Sequence, residues 1–198
     1  HKEVESLVKY LDTMEVQFGE VLEELRDVKE QLSQIQDRGM KASVLRITEQ
    51  AQGKVREVEG QLTRVRKNLI RSAGNALQTY KEKGRDALQK AVSAMKIPSA
   101  LARIEEGLHT TVESMNRQAD KMKVLNRELQ VAGGHIKNVG RILRGKEQEK
   151  IEIQTTDKGI TTNIRKSFLV LSGRLSSMEQ TTGNVRKRLE QFVQKEEK

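Results

Sequence analysis

The first 35 residues carry apolar side chains at an alternating spacing of three and four positions. The row consists of Val4, Leu7, Leu11, Met14, Phe18, Val21, Leu25, Val28, Leu32 and Ile35. This spacing places all ten side chains on one helix face, and it is the heptad pattern of helices that pack side by side, as in coiled coils. Similar rows run through most of the remaining sequence, so the chain predicts an elongated all-α fold.

The composition supports helices and argues against sheets. Of the 198 residues, 33% are charged, 35% are hydrophobic and only 3% are aromatic, and Pro98 is the single proline. Disorder is the alternative for so polar a chain, but an unfolded chain has no reason to keep a regular apolar spacing. We therefore expect a thin apolar core between three to four long amphipathic helices in an antiparallel bundle.

The apolar rows, glycines and proline divide the chain into four helical segments. Helices over about 2–37, 42–96 and 99–144 are expected to form a long-helix bundle in residues 1–146. Residues 147–198 are expected to form a connector and a fourth amphipathic helix on the same bundle. Gly39 is a suitable stop for the first helix, and Pro98 suits the first turn of the third. Leu125 is expected to be buried, so that Leu125→Asp would disturb the fold.

Glycines inside the predicted helices need an explanation, because each costs about 1 kcal/mol relative to alanine. Gly133 and Gly134 are adjacent in the third helix. One hypothesis is a hinge that lets this helix bend, and the other is close packing or tolerance on a solvated face.

The sequence offers little for catalysis or cofactor binding. There is no cysteine, which excludes thiolate chemistry and cysteine-based metal sites. The segment from Gly140 to Lys146 has the Gly-x4-Gly-Lys spacing of a phosphate loop, but Glu147 stands where such a loop needs Ser or Thr. We interpret it as the basic end of a helix.

One histidine has neighbours that suit a metal by spacing alone. Glu105, His109 and Glu113 share a helix face, on the solvated side of the helix, where salt bridging is the simpler interpretation. We therefore expect a protein that is not an enzyme and has no catalytic residues, cofactor, metal or small-molecule substrate.

A membrane span is not expected, since the longest apolar run covers only Phe168 to Leu171, far short of the ~20 residues required. No signal peptide is recognisable. We expect a cytoplasmic protein.

The charges are distributed unevenly along the chain, which carries +9 in total. Residues 1–38 have a net charge of −5 and residues 39–98 of +8, which favours antiparallel packing of the first two helices. The basic second helix, over residues 64–96, is a possible polyanion-binding surface. Its candidate residues are Arg64, Arg66, Lys67, Arg71, Lys81, Lys83, Arg85 and Lys90.

Three interpretations of this basic surface stay open. It could bind nucleic-acid phosphates independently of sequence. It could associate peripherally with an anionic membrane surface. It could also be a solvated face beside the acidic first helix.

Two parts of the sequence resemble a known family. The segments Phe18–Leu25 and His135–Arg141, the latter followed by Gly145, Lys146 and Glu147, are similar to an uncharacterised helical, coiled-coil-like family carried on integrative mobile elements of gut bacteria. The likeness covers roughly residues 1–147. It implies a bacterial, cytoplasmic setting and an accessory role near DNA, and it implies no activity.

The sequence as a whole favours a non-catalytic helical scaffold or protein-interaction module. A protein partner or self-association is expected, because thin helical seams are often completed by further helices. Nucleic-acid binding and membrane association are the two alternatives.

Overall fold

The computed structural model describes residues 2–83, 85–153 and 159–194, with the side-chain surroundings of residues 2–4, 70, 72–88 and 91 left aside. Over these residues the chain forms five α-helices and no β-strand. They are α1 (Lys2–Gln31), α2 (Arg38–Lys83), α3 (Arg85–Ala94), α4 (Ile97–Ile142) and α5 (Ile160–Gln194). The predicted all-α bundle of long helices is confirmed.

The four long helices surround one apolar core in the order α1, α2, α4, α5. Arg66 of α2 reaches Asp12 near the start of α1, and Tyr10 contacts Thr182 near the end of α5. Arg186 of α5 in turn reaches Glu105 near the start of α4. Each long helix therefore runs antiparallel to its two neighbours.

The apolar rows of the sequence form this core. Every member of the first row from Leu7 to Ile35 is buried, while Val4 lies outside the described side chains. In α5, Phe168 and Leu171 are fully enclosed. None of the helices over the described residues contains an apolar stretch of the length that a bilayer span requires.

The first two helices meet at a different place from the one expected. α1 ends at Gln31, a short 3-10 turn covers Leu32–Gln34, and α2 begins at Arg38. The Asp37 carboxylate accepts a hydrogen bond from the Met40 backbone N–H at 2.7 Å. Because this contact caps the start of α2, Gly39 lies in the first turn of α2 and does not end the first helix.

The predicted second segment, 42–96, is divided between α2 and α3, and residue 84 lies outside the described residues.

α4 packs against α2 at Gly107, where a Cβ would lie 2.7 Å from Val58 Cγ2. From this contact, Ile97 at the start of α4 is only about 15 Å away along the helix. A straight helix from Val58 would instead place Ala94 about 54 Å away from the same contact. The chain must therefore reverse direction between Val58 and Ile97.

The apolar row of α4 runs at heptad spacing from Leu101 to Leu143 and is buried along only part of the helix. Its apolar side chains up to Met122 are enclosed, namely Leu101, Ile104, Leu108, Met115 and Met122. Leu125 is half-buried and packs against the core, so the effect of Leu125→Asp on the fold stays a prediction. Beyond it the row is exposed, because the neighbouring helices end.

Candidate protein-interaction surface

α4 extends past the helices that pack against it. Thr161, in the first turn of α5, donates a hydrogen bond to the Asn126 side chain at 3.0 Å. α4 continues from there to Ile142, which adds about 24 Å of helix. We call residues 127–142 the α4 overhang.

An apolar row covers one face of the overhang. It consists of Leu129, Ala132, Ile136 and Val139, and of Leu143, which directly follows the end of α4. We call this row the overhang stripe. Ile136 is 74% exposed and Leu143 82% exposed. Single exposed apolar side chains are common, but a contiguous row of this kind is typical of an interaction site.

A second face of the overhang is covered by chain that returns from its end. We call residues 146–153 the return segment. The Asn138 side-chain amide donates to the Glu149 carbonyl at 2.7 Å, and the Glu149 backbone N–H donates to the Asn138 side-chain oxygen at 2.9 Å. Arg141 Nε donates to the Glu147 carbonyl at 2.8 Å. These bonds hold the return segment against the helix.

The adjacent glycines of the overhang have different surroundings. A Cβ at Gly134 would lie 2.7 Å from Ile151 of the return segment, whereas a Cβ at Gly133 would meet nothing within 4 Å. α4 is continuous through both positions. Gly134 therefore permits close packing of Ile151, which agrees with the packing interpretation of this pair.

The Gly-x4-Gly-Lys segment forms the end of α4. Gly145 has a left-handed φ of +72°, its N–H donates to the Ile142 carbonyl at 2.9 Å, and the Lys146 N–H donates to the Arg141 carbonyl at 3.0 Å. This pair of bonds is a Schellman cap. The amides that a phosphate loop would offer to a nucleotide are thus used to end the helix.

The basic candidate residues do not form one free surface. Arg64, Lys67, Arg71 and Lys90 are exposed, while the side chains of Lys81, Lys83 and Arg85 lie outside the described part. Arg66 instead contacts two carboxylates of α1, those of Asp12 at 2.9 Å and of Glu15. The acidic first helix therefore engages part of the basic second helix.

The histidine considered as a metal ligand contacts two carboxylates instead. His109 lies 3.6 Å from Glu113 and 3.0 Å from Glu179 of α5, while Glu105 is bound by Arg186 at 2.7 Å. Among the residues that the structure describes, no group of three or more His, Asp or Glu side chains is placed to hold a metal ion.

Among the described side chains, two ionisable groups have clearly displaced pKa values, and packing explains both. Burial raises the pKa of Tyr10 to about 12. Thr182 donates its hydroxyl proton to the Met178 carbonyl, so the Tyr10 hydroxyl is the donor in the 2.6 Å bond between Tyr10 and Thr182. Hydrogen bonds to Glu105 and Glu190 raise the pKa of Arg186.

Comparison with known proteins places the chain in a family. Searches of the curated proteins and of the solved structures found no match. The model of the family of unknown function DUF6674 matches residues 1–198, which is the whole chain. The protein described here therefore belongs to the DUF6674 family.

Proposed function

We propose that this protein is a non-catalytic helical scaffold that presents the overhang stripe to a protein partner. The partner would be an amphipathic helix with an apolar row at heptad spacing, because only such a row matches the stripe along its length. The supporting observation is an exposed apolar row on a helix that extends beyond the helices packed against it. The exposed residues are Leu129, Ile136, Val139 and Leu143.

The contacts between the return segment and the overhang support this proposal, because they stabilise the helix that carries the stripe. A helix of about 16 residues without tertiary contacts is only marginally stable in water. The return segment contributes hydrogen bonds at Asn138 and Arg141 and the packing of Ile151 on Gly134. It does so on the faces away from the stripe, so the helix is supported while its apolar row stays accessible.

The ionisable groups with displaced pKa values also fit a scaffold. Active sites place such groups in a cleft, where they act on a substrate. Tyr10 is instead held in the core by Thr182, and Arg186 joins α5 to Glu105 of α4. Both groups thus stabilise helix packing.

The proposal can be tested by placing a charge in the stripe and comparing the complexes that the protein forms in an extract of the cells that produce it. Chemical cross-linking should give complexes with wild type that Ile136→Asp loses, because an aspartate at the centre of the stripe opposes apolar contact. Val16→Asp is the matched control, since Val16 is 63% exposed on α1, outside the stripe. Identical complexes from wild type and Ile136→Asp would contradict the proposal.

Nucleic-acid binding is a second candidate function. It is supported by Arg64, Lys67 and Arg71, which are exposed on α2 at spacings of three and four residues and so share a face. Contacts with phosphates predict duplex binding that weakens steeply between about 50 and 200 mM salt. In an electrophoretic mobility-shift assay with a DNA duplex, the triple variant with glutamine at these positions should give no shift. If the wild-type protein also gives no shift at low salt, this function is excluded.

The biological setting stays a prediction. The resemblance to proteins of integrative mobile elements supports a bacterial host and residence in the cytoplasm, and the family match adds no statement about either. Association of the basic face with an anionic membrane is the remaining alternative.

A further inference from the structure

We infer that the overhang stripe binds the same stripe of a second copy of this chain, so that the protein forms an antiparallel homodimer through α4. This inference rests on the proposed function and names its partner. The continuity of the stripe with the core, its symmetry and the location of the other helices support this pairing.

The stripe continues the core row of α4 without a change of register. Leu101, Leu108, Met115 and Met122 are buried on this row against the other helices of the same chain, and the same alternation of three and four residues runs on to Leu143. The exposed part is therefore an extension of an interface that this chain already forms with its own helices.

The order of side chains along the stripe suits pairing with itself. In an antiparallel pair whose two-fold axis lies midway between Ala132 and Ile136, each Ile136 faces Ala132 of the second copy. Leu129 then faces Val139, and Leu125 faces Leu143. A large side chain meets a small one at the centre and apolar side chains meet elsewhere, which is the self-complementarity that a two-fold interface requires.

The positions of the bundles decide between the two possible directions. In a parallel pair, both bundles would begin at Asn126 on the same side and would compete for the same space. In an antiparallel pair they lie at opposite ends of the paired overhangs. The return segment contacts Gly134, Asn138 and Arg141, on other faces of α4, and does not obstruct either stripe.

The chain's own terminal helices cannot cover the stripe. Gln89 donates to the Phe192 carbonyl at 2.6 Å, and Tyr10 contacts Thr182. These contacts place the start of α1 and the end of α5 at the opposite end of the bundle, near the start of α4. Among the described residues, no helix other than α4 therefore lies beside the stripe, which leaves it open to a second molecule.

The mass of the purified protein in solution tests this inference. Sedimentation velocity over a wide concentration range should show a dimer for wild type and for Val16→Asp, and a monomer for Ile136→Asp. The melting temperature of the Ile136→Asp monomer, compared with that of wild type diluted to monomer, checks that the fold is intact. Wild type that stays monomeric throughout, or Ile136→Asp that stays dimeric, would overturn the inference.

A cross-link tests whether the two stripes meet near the inferred two-fold axis, since the chain has no cysteine of its own. Ala132→Cys places one thiol near the two-fold axis on each copy, so a short bismaleimide should join two chains. Val16→Cys is the control and should not cross-link. Failure of Ala132→Cys to cross-link in a sample that sediments as a dimer would exclude this arrangement.

The two proposals can fail separately. If the purified protein is a monomer and the complexes in extract still depend on Ile136, the self-pairing is wrong and the scaffold proposal stands with another helix as partner. If purified monomers instead float with anionic vesicles in a manner that depends on Ile136, the stripe binds a lipid surface and both proposals are wrong.

Discussion

At the scale of single residues, glycines on facing helices have opposite surroundings. Gly107 of α4 lies against Val58 of α2, whereas Gly53 of α2 has nothing within 4 Å of the position of a Cβ. The sequence shows only that each glycine weakens a helix. Which of them permits a close approach depends on a side chain from another helix, and the sequence cannot supply that pairing.

Alanine at these two glycines should change stability in opposite directions. Gly53→Ala should raise the free energy of unfolding by up to about 1 kcal/mol through helix propensity. Gly107→Ala should lower it by about 1 kcal/mol, since the new methyl group would overlap the Val58 side chain and overpacking outweighs propensity. Urea denaturation of both variants measures the two effects, and equal gains in stability would contradict the close contact at Gly107.

Tyr10 should make stability depend on pH in the alkaline range. Its pKa is about 12 in the fold against the ordinary tyrosine value of 10.0, so between these values the unfolded chain loses the proton first. The contribution of Tyr10 to the free energy of unfolding is therefore fully present below pH 10. It falls by about 2–3 kcal/mol as the pH rises towards 12. The Tyr10→Phe variant has no ionisable hydroxyl at this position. It keeps every lysine, so that pH effects from lysine are the same in both proteins. The difference between wild type and Tyr10→Phe in urea unfolding should show this fall, and a difference independent of pH would contradict it.

At the scale of the helices, heptad spacing predicted which face of each helix is apolar but not how much of that face is buried. Phe18 and Phe168 are fully enclosed as their rows predict, while Ile136 is exposed on a row of the same quality. Burial of a row requires a neighbouring helix at the same height. The lengths of α1 and α5 and the cap at Asp37 determine that height, so the end of burial after Met122 could not be deduced from α4 alone.

Aspartate substitutions along α4 should therefore separate into two classes. Leu108→Asp should cost more than about 3 kcal/mol, because it replaces a fully enclosed leucine by an unpaired charge. Leu129→Asp, on the same row at 37% exposure, should stay within about 1 kcal/mol when the protein is dilute enough to be monomeric. Urea unfolding distinguishes the two. A large loss at Leu129 would show that the overhang is covered within one chain.

The return segment should depend on the small size of Gly134. In Gly134→Ala, the added methyl group overlaps Ile151, so the segment should loosen and the Glu149 amide should exchange its hydrogen faster. Gly133→Ala is the matched control and should leave this exchange unchanged, because nothing lies near its Cβ. Hydrogen exchange followed by mass spectrometry over residues 146–153 measures the difference, and equal protection in both variants would contradict the packing role of Gly134.

At the scale of the whole molecule, the two ends of the bundle differ. One end holds the start of α1 and the end of α5, and the other projects the overhang. The sequence predicted an acidic helix beside a basic one, and Arg66 with Asp12 fits that pattern. It did not separate the exposed overhang stripe from the buried part of the same row, because an exposed apolar row and a buried one have the same sequence signal. Only the ends of the neighbouring helices distinguish them.

The overall length of the protein in solution should reflect how its overhangs pair. α4 alone, at 46 residues, is about 69 Å long, and two copies paired about an axis between Ala132 and Ile136 would together span about 110 Å. Small-angle scattering of wild type should thus give a maximum dimension of at least that length, and Ile136→Asp should be shorter by at least about 40 Å. A dimer of nearly the monomer's length would mean that the bundles pair side by side. The contact would then lie on a bundle face such as that of Val16, and the Val16→Asp variant would become the monomer.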